Sequence, residues 1–509
     1  MLADIAEKLL SPALWLALLA GYLVKFYVQI WLEKRRMPPG PWPLPVLGSL
    51  LALRNDSSTE RRLYELSKVY GDPFTLYMGK WRVVVVTAKE PMRELLIDRQ
   101  NLTSSRPDFI LFEYMGNGKP TETVQDIALA PFNKTWRVHR KLATQAIRVL
   151  ASGERLEVAV GDSVAFMSKV MEQQTTPVDM KWHMQYAVFN TIAKMCYGKC
   201  YGVGDDEMVW ILNAFEDVDA AGASLAMLDI LPIPKRIAYF LGKWGPATRR
   251  AVALLVELLD HMRAKISEHR DSFSEAVTRD FVDAMIGEQI KLKRKGEEFG
   301  YLLTEDHIAA LSFDFFNAGV DTSATTLRWL FLFLANNPEV QERCHRQVVD
   351  VLGREARPRL EHRPRLPLVD ALVNETLRLR PPAPVAVPHT CTQDVPFGAY
   401  TLLKGSHILP NISEVGRFDP QRHWLERDAE GVERLRRRTG SMPFGAGRRV
   451  CVGESLARNS LFLYVAGFLQ RLNFQRLPAA PPLDETADPA FDMVIVTPKS
   501  YQLRVSARV

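Results

Sequence analysis

Five cysteines in 509 residues, an odd number, leave no disulfide framework, and a chain of this length needs none. A reducing compartment follows. Internal repeats, Ser/Gly linkers and blocks of one charge sign are also missing, so one large body behind an N-terminal appendage is simpler than the roughly three domains the length would allow. The net charge of +6 is too diffuse to argue for nucleic acid, and no nucleic-acid module accompanies it. Long apolar runs are scarce, which excludes a polytopic membrane protein, while 47% hydrophobic and 24% charged residues exclude a disordered chain. Cys196 and Cys200 are spaced for one helix face, but no second pair stands at zinc-site spacing, so both are expected to be buried structural thiols.

The exception among apolar runs lies at residues 9–32, broken only by Ser11, Lys25 and Gln29. As a helix rising ~1.5 Å per residue it would cross a hydrocarbon layer of ~30 Å. Lys34, Arg35 and Arg36 follow it, and no small-residue cleavage site precedes them, so residues 1–36 read as a membrane anchor whose basic flank stays cytosolic. Pro38, Pro39, Pro41, Pro43 and Pro45 then forbid a continuing helix and make residues 37–48 a stiff hinge. Residues 49–509 are expected to form one body.

Within that body, Thr75–Met78 and Arg82–Thr87 read as strands because β-branched residues dominate. From about residue 135 to 352 the periodicity is helical, with long runs at 247–269 and 305–336. Past Pro381 come short strand-like pieces at 400–403, 494–498 and 501–505. The fold class is mainly α with a minor β part.

The most informative stretch runs from Phe444 to Gly453 and precedes a helical pattern. Glycines let a backbone turn tightly and approach a flat ligand, and a cysteine just before a helix gains from the dipole and from free N–H groups. Such a sulfur is expected to be a thiolate. Phe444, Gly447, Arg449, Cys451 and Gly453 fill the pattern Phe-x-x-Gly-x-Arg-x-Cys-x-Gly, which resembles the haem-binding signature of the cytochromes P450. The resemblance implies that fold, haem b as cofactor, Cys451 as the iron ligand, Arg449 at a haem propionate and Phe444 over the proximal face. Thiolate ligation favours O–O cleavage.

Other stretches agree in order along the chain. Glu375 and Arg378, three apart on a helix, would alone make an ordinary ion pair of about 0.2–0.5 kcal/mol. They resemble the family's Glu-x-x-Arg pair, with Arg422 as its third charged partner, although Gln421 and His423 replace the residues usual beside it. Ala318-Gly319-Val320-Asp321-Thr322 resembles the oxygen-activating turn: Gly319 would let the helix open, and Asp321 and Thr322 would relay protons. Read alone, these residues suit a buried helix whose Thr bonds back to its own turn. Trp136 and Arg140 resemble a propionate-binding pair on one helix face, and His389 falls where a propionate-binding His or Arg stands in the microsomal branch. Trp136–Lys141, Arg279–Ala284 and Val452–Arg458 resemble the animal microsomal group, which includes drug-metabolising and steroid-hydroxylating members. One departure stands out: a short helix and its approach, normal for the family between Val415 and Phe418, are absent.

The family layout puts Phe109, Phe112, Met115, Phe215, Ala318, Ala383, Val387, Val494 and Ile495 around the substrate, and their apolar character implies a lipophilic small molecule, a steroid or xenobiotic. It gathers Arg137, Lys141, Arg434, Arg436, Arg437, Arg438 and Arg448 into a basic face for an NADPH-dependent flavoprotein reductase, NADPH-cytochrome P450 reductase, and admits cytochrome b5 as a second donor. The activity implied is monooxygenation at the endoplasmic reticulum membrane. The alternatives are a haem-thiolate isomerase or dehydratase, which needs no proton relay, and a haem-binding protein impaired by the missing segment.

Overall fold

The computed structural model describes residues 12–54, 58–110, 126–296, 301–414, 416–436, 441–478, 480–487 and 495–508. Their contacts divide into two compact units. One comprises the described residues within Met1–Pro107 together with Ile230–Pro234 and Pro388–Asn411; the other comprises those within Asp108–Asp229, Lys235–Val387 and Ile412–Val509. Residues 49–509 are thus shared between both.

In the first unit the apolar run forms a helix, Pro12–Lys34, long and apolar enough to cross a membrane. Trp15, Leu16, Val24 and Trp31 are exposed along it, a surface unfavourable in water and suited to lipid. Its last turn is tied down where Glu33 accepts from Arg82 at 3.1 Å. The proline segment is docked as well: the Thr75 N–H donates to the Pro39 carbonyl at 2.7 Å, and a β-carbon on Gly40 would overlap the Thr75 carbonyl. Strands Phe74–Met78 and Trp81–Val86 form an antiparallel hairpin, and the second pairs in parallel with His407–Pro410, Val83 opposite His407. His389–Thr390 completes the four-stranded sheet. Val83–Val86 are all buried, as a strand covered on both faces requires.

The second unit is helical around one core. Its long central helix, Glu305–Asn336, matches the expected run; Thr304 caps it in a capping box with His307, and Pro338 starts the next helix. Its own Phe316 and Phe331 are fully buried, as are Phe189, Phe462 and Phe468 on neighbouring helices. Helices Lys134–Leu150, Met180–Tyr197, Asp206–Ile230, Pro246–Asp271, Pro367–Leu379 and Glu454–Arg471 surround it.

Two local expectations change. Of the piece at 494–498, Val494 lies outside the described residues and Pro498 makes only an isolated bridge with Ala487; the strand here is Gln502–Ala507. The five cysteines are free thiols, but Cys200 is exposed because the helix holding Cys196 ends at Tyr197, before the second thiol can share its face.

Candidate active site

The stretch from Phe444 to Gly453 reverses on itself before helix Glu454–Arg471. Gly445 and Gly447 take φ of 72° and 67°, a region that side chains disfavour, and the Cys451 N–H closes the turn on the Phe444 carbonyl at 2.9 Å. Cys451 is exposed, and its sulfur receives the N–H groups of Gly453 and Glu454. Burial of the sulfur by surrounding protein nonetheless pushes the thiol up, with those N–H groups and Arg140 opposing it. The helix end and Arg140 thus act in favour of the thiolate, against the burial.

Arg449 is buried. Its guanidinium forks onto the carbonyls of Ile127 at 3.1 Å and Ala130 at 2.6 Å, and its centre lies 3.9 Å from the Trp136 ring centroid. Burial pushes it down to about 9, against the pull of Asp126. The Trp136 indole N–H donates to Ile127 O at 2.9 Å, and Arg140 donates to the Val450 carbonyl. Trp136 and Arg449 thus supply donors to carbonyls of the turn at 126–130. Its N–H groups are met by carboxylates. Asp126 takes those of Leu129 and Ala130, and Asp314, on the central helix, takes that of Ile127 at 2.7 Å. Burial, then the neighbouring Asp126, pushes the Asp314 carboxyl well up. Asp314 was not among the expected site residues, although it stands one turn before Ala318 on the same face, the only available signal.

On the central helix Ala318 is exposed, and Gly319, Asp321 and Thr322 are partly so, in a helix otherwise mostly buried. The Thr322 hydroxyl donates to the Ala318 carbonyl at 2.7 Å, back onto its own turn. The helix runs unbroken through Gly319. A β-carbon there would lie 3.0 Å from Ile192 Cδ1, so the glycine permits close packing against helix Met180–Tyr197.

Glu375 and Arg378 form a buried bidentate pair at 2.8 Å on both arms. The expected third partner is corrected. Arg422 is exposed, whereas His423 Nδ1 and the Trp424 indole each lie 2.9 Å from the Glu375 carboxylate, and the Asp419 N–H adds a further bond at 2.9 Å. Burial pushes Glu375 up, but the bonds from Arg378, Asp419 and His423 outweigh it and hold the carboxyl below its usual range. Glu414 reaches Arg378 at 3.6 Å.

His389 belongs to the first unit, where its Nδ1 faces the Thr103 carbonyl at 2.9 Å. Of the apolar residues expected at the substrate, Phe112, Met115 and Val494 lie outside the described residues; Phe109, Ala383, Val387 and Ile495 are partly accessible. Phe215 is a core residue, 1% exposed and packed on Phe313 and Phe316. Arg437 and Arg438 lie outside the described residues. Arg434 is paired with Asp428 at 2.6 Å and Arg436 with Glu426 at 3.5 Å, while Arg137 and Arg448 both stand over the Phe132 ring.

An exposed cysteine whose sulfur is supplied with N–H donors, a backbone reversal turned at two glycines, and a buried guanidinium suit a planar iron porphyrin ligated by a thiolate. Sequence comparisons agree. A family model for cytochrome P450 matches residues 38–505. The chain is 28% identical over 505 residues to steroid 17-alpha-hydroxylase/17,20 lyase of Ictalurus punctatus, covering 96% of this chain and 93% of that protein. It is 30% identical over 481 residues to the Gallus gallus protein of the same name, covering 92% and 91%. To cytochrome P450 2D26 of Rattus norvegicus it is 30% identical over 486 residues, covering 92% and 93%. The chain belongs to the cytochrome P450 family and is a haem-dependent monooxygenase.

Proposed function

We propose that Cys451 ligates haem b and that the protein inserts one atom of dioxygen into a C–H bond of a lipophilic small molecule, with electrons from NADPH delivered through a flavoprotein reductase. The observation that carries this is the exposed Cys451 residue, held at the start of helix Glu454–Arg471 with two backbone N–H groups directed at its sulfur. Haem supplies the oxygen chemistry, and a thiolate ligand pushes electron density toward O–O cleavage. The chain's own residues prepare that sulfur. The Gly453 N–H and Arg140 favour its charged form against the cost of burial and the charge of the Glu454 carboxylate, which the Glu454 N–H partly offsets. Arg449 offers a buried cation to an anionic propionate while it braces the turn at 126–130.

Thr322 and Asp321 are the proposed proton carriers. The Thr322 hydroxyl donates its hydrogen bond to the Ala318 carbonyl, which leaves the hydroxyl oxygen as an acceptor, so relay requires that bond to break and reform. Phe109, Ala383, Val387 and Ile495 present apolar, partly accessible surface, which supports a lipophilic substrate. Relatives named as steroid hydroxylases make a steroid the first compound to try.

Helix Pro12–Lys34 would hold the protein in the endoplasmic reticulum membrane, with Lys34, Arg35 and Arg36 on the cytosolic side. The reductase would dock on Arg137, Lys141 and Arg448, which are exposed and outside the Arg434 and Arg436 ion pairs, and cytochrome b5 would compete for the same face.

Two measurements test the reading. The reduced protein under carbon monoxide should show the strongly red-shifted Soret band of a thiolate ligand, and Cys451→Ala should abolish it. Reconstituted with reductase, the protein should consume NADPH and oxidise a steroid, a fatty acid or an aromatic. A parent protein with the red-shifted band that oxidises none of them would sink the monooxygenase assignment to lipophiles, and reduction insensitive to salt would sink the docking face.

A further inference from the structure

On the central helix one amide, Asn317, stands between the aromatic residues Phe313, Phe315 and Phe316 and the exposed Ala318. We propose that this amide is a substrate subsite that accepts a hydrogen bond from the ligand, so that the protein selects lipophiles carrying a hydroxyl or N–H over those without one; the proposal rests on the monooxygenase reading and names the class of lipophile.

An orphaned atom is the first argument. Asn317 Oδ1 is buried and has no hydrogen-bond partner among the described residues. Other asparagines of the same unit show the ordinary case: Asn190 Oδ1 accepts the Tyr201 N–H at 2.6 Å, Asn336 Oδ1 accepts the Leu483 N–H at 2.8 Å, and Asn374 Oδ1 accepts from Arg458 at 2.7 Å. A buried acceptor cut off from water gives up its hydrogen bonds, and native folds nearly always return them. The helix cannot do so here, because its interior N–H groups are committed to the carbonyls four residues back.

Position is the second. Ala318 is exposed and Asn317, Gly319, Asp321 and Thr322 are partly accessible, in a helix otherwise mostly buried. Asn317 shares a helix face with Asp321, one turn and about 6 Å farther along the axis. Phe313, one turn in the other direction, is buried against Phe215 with ring centroids 5.9 Å apart. The amide therefore lies where an aromatic wall gives way to the accessible turn, with an apolar surface on one side and the proposed proton carriers on the other.

The amide can also present its oxygen. The Asn317 residue is partly accessible although Oδ1 is not, and rotation about Cβ–Cγ is soft and roughly twofold, so a half-turn exchanges the two ends of the amide. A ligand donor then completes the acceptor. A ligand without one dries the site and leaves the amide unpaired, which is the basis on which a polar pocket rejects an analogue lacking a hydroxyl.

The test titrates full-length parent, Asn317→Leu and Asn317→Gln with cholesterol, phenylphenol and dodecanol, each beside its methyl ether, which keeps the apolar body and the oxygen but lacks the donor. Binding is read by the shift of the haem spectrum and by calorimetry. In the parent at least one alcohol should bind about tenfold more tightly than its ether, the scale of one hydrogen bond left unmade. Asn317→Leu has nearly the same shape without polar atoms and should bind both members of that pair alike, while Asn317→Gln, which keeps an amide, should retain part of the preference. The thermal midpoint of Asn317→Leu without ligand should equal or exceed that of the parent, because no bond within the protein is lost. A parent that favours no alcohol over its ether, a preference that survives in Asn317→Leu, or a lowered midpoint in that variant overturns the proposal. A parent without the red-shifted band under carbon monoxide would instead remove the haem reading, while the calorimetric preference would still decide whether Asn317 selects donors.

Discussion

Gly319 on the central helix and Ile192 on helix Met180–Tyr197 meet where no side chain fits between them: a β-carbon at 319 would lie 3.0 Å from Ile192 Cδ1 and 3.3 Å from its Cγ1. Replacing Gly319 by Ala adds about 1 kcal/mol of helix preference and sets it against overpacking of about 1–3 kcal/mol. Gly319→Ala alone should lower the thermal midpoint slightly. With Ile192→Val, which deletes Cδ1, the double variant should be more stable than the sum of the single changes. Additive effects would show that the contact does not restrain the helix.

A second network should make stability depend on pH. His269 Nε2 lies 2.8 Å from Asp280, and its Nδ1 lies 2.7 Å from the Lys265 carbonyl; Asp280 caps helix Phe281–Arg294, and Arg279 holds Asp283 beside it. Burial pushes His269 down, but the Asp280 bond and charge outweigh it, so the folded imidazole holds its proton more tightly than the unfolded one. Its contribution is complete below about pH 6.5 and is lost as pH rises through the folded value. The midpoint advantage of the parent over His269→Gln should shrink as pH rises above about 6.5; a constant difference would rule the network out as the source.

Whether a feature could be read from the chain depended on whether its cause was local. The central helix was legible because Thr304 and Pro338 mark its ends, and the hairpin because Val83–Val86 are β-branched. The Cys451 loop was legible because its glycines and cysteine act on neighbouring backbone. Arg422 was named from its resemblance to the family's third charged partner, whereas the face turned toward Glu375 depends on the phase set by the Asp419 cap. The close packing at Gly319 depends on Ile192, and the Trp136 indole and Asp314 carboxylate answer the needs of a turn at 126–130; neither relation leaves a local pattern.

The Glu375–Arg378 pair gives a third prediction. Both side chains are almost wholly buried, and removing one partner of such a pair generally costs about 3–5 kcal/mol, because the remaining charge is stranded. Glu375→Ala should fall toward the lower end of that range, since Glu414 at 3.6 Å still faces Arg378. Adding Arg378→Met should return part of the loss, as an apolar chain needs no counter-charge. Denaturant unfolding of haem-free protein measures all three; a double variant less stable than Glu375→Ala would mean that Arg378 is held mainly by Glu414 and the Arg417 carbonyl.

Arg449 gives the fourth. Its two nitrogens reach two different carbonyls while its flat face lies on Trp136, a combination that needs a planar fork. Lysine keeps the charge but reaches one carbonyl at a time, so Arg449→Lys should cost about 1–3 kcal/mol and expose the turn at 126–130 to hydrogen exchange. Trp136→Phe keeps an aromatic face and loses only the bond to Ile127, so it should cost about 1 kcal/mol. If Arg449 serves the turn as well as a propionate, Arg449→Lys must destabilise the haem-free protein; a loss seen only when haem is present would assign the residue to the cofactor alone.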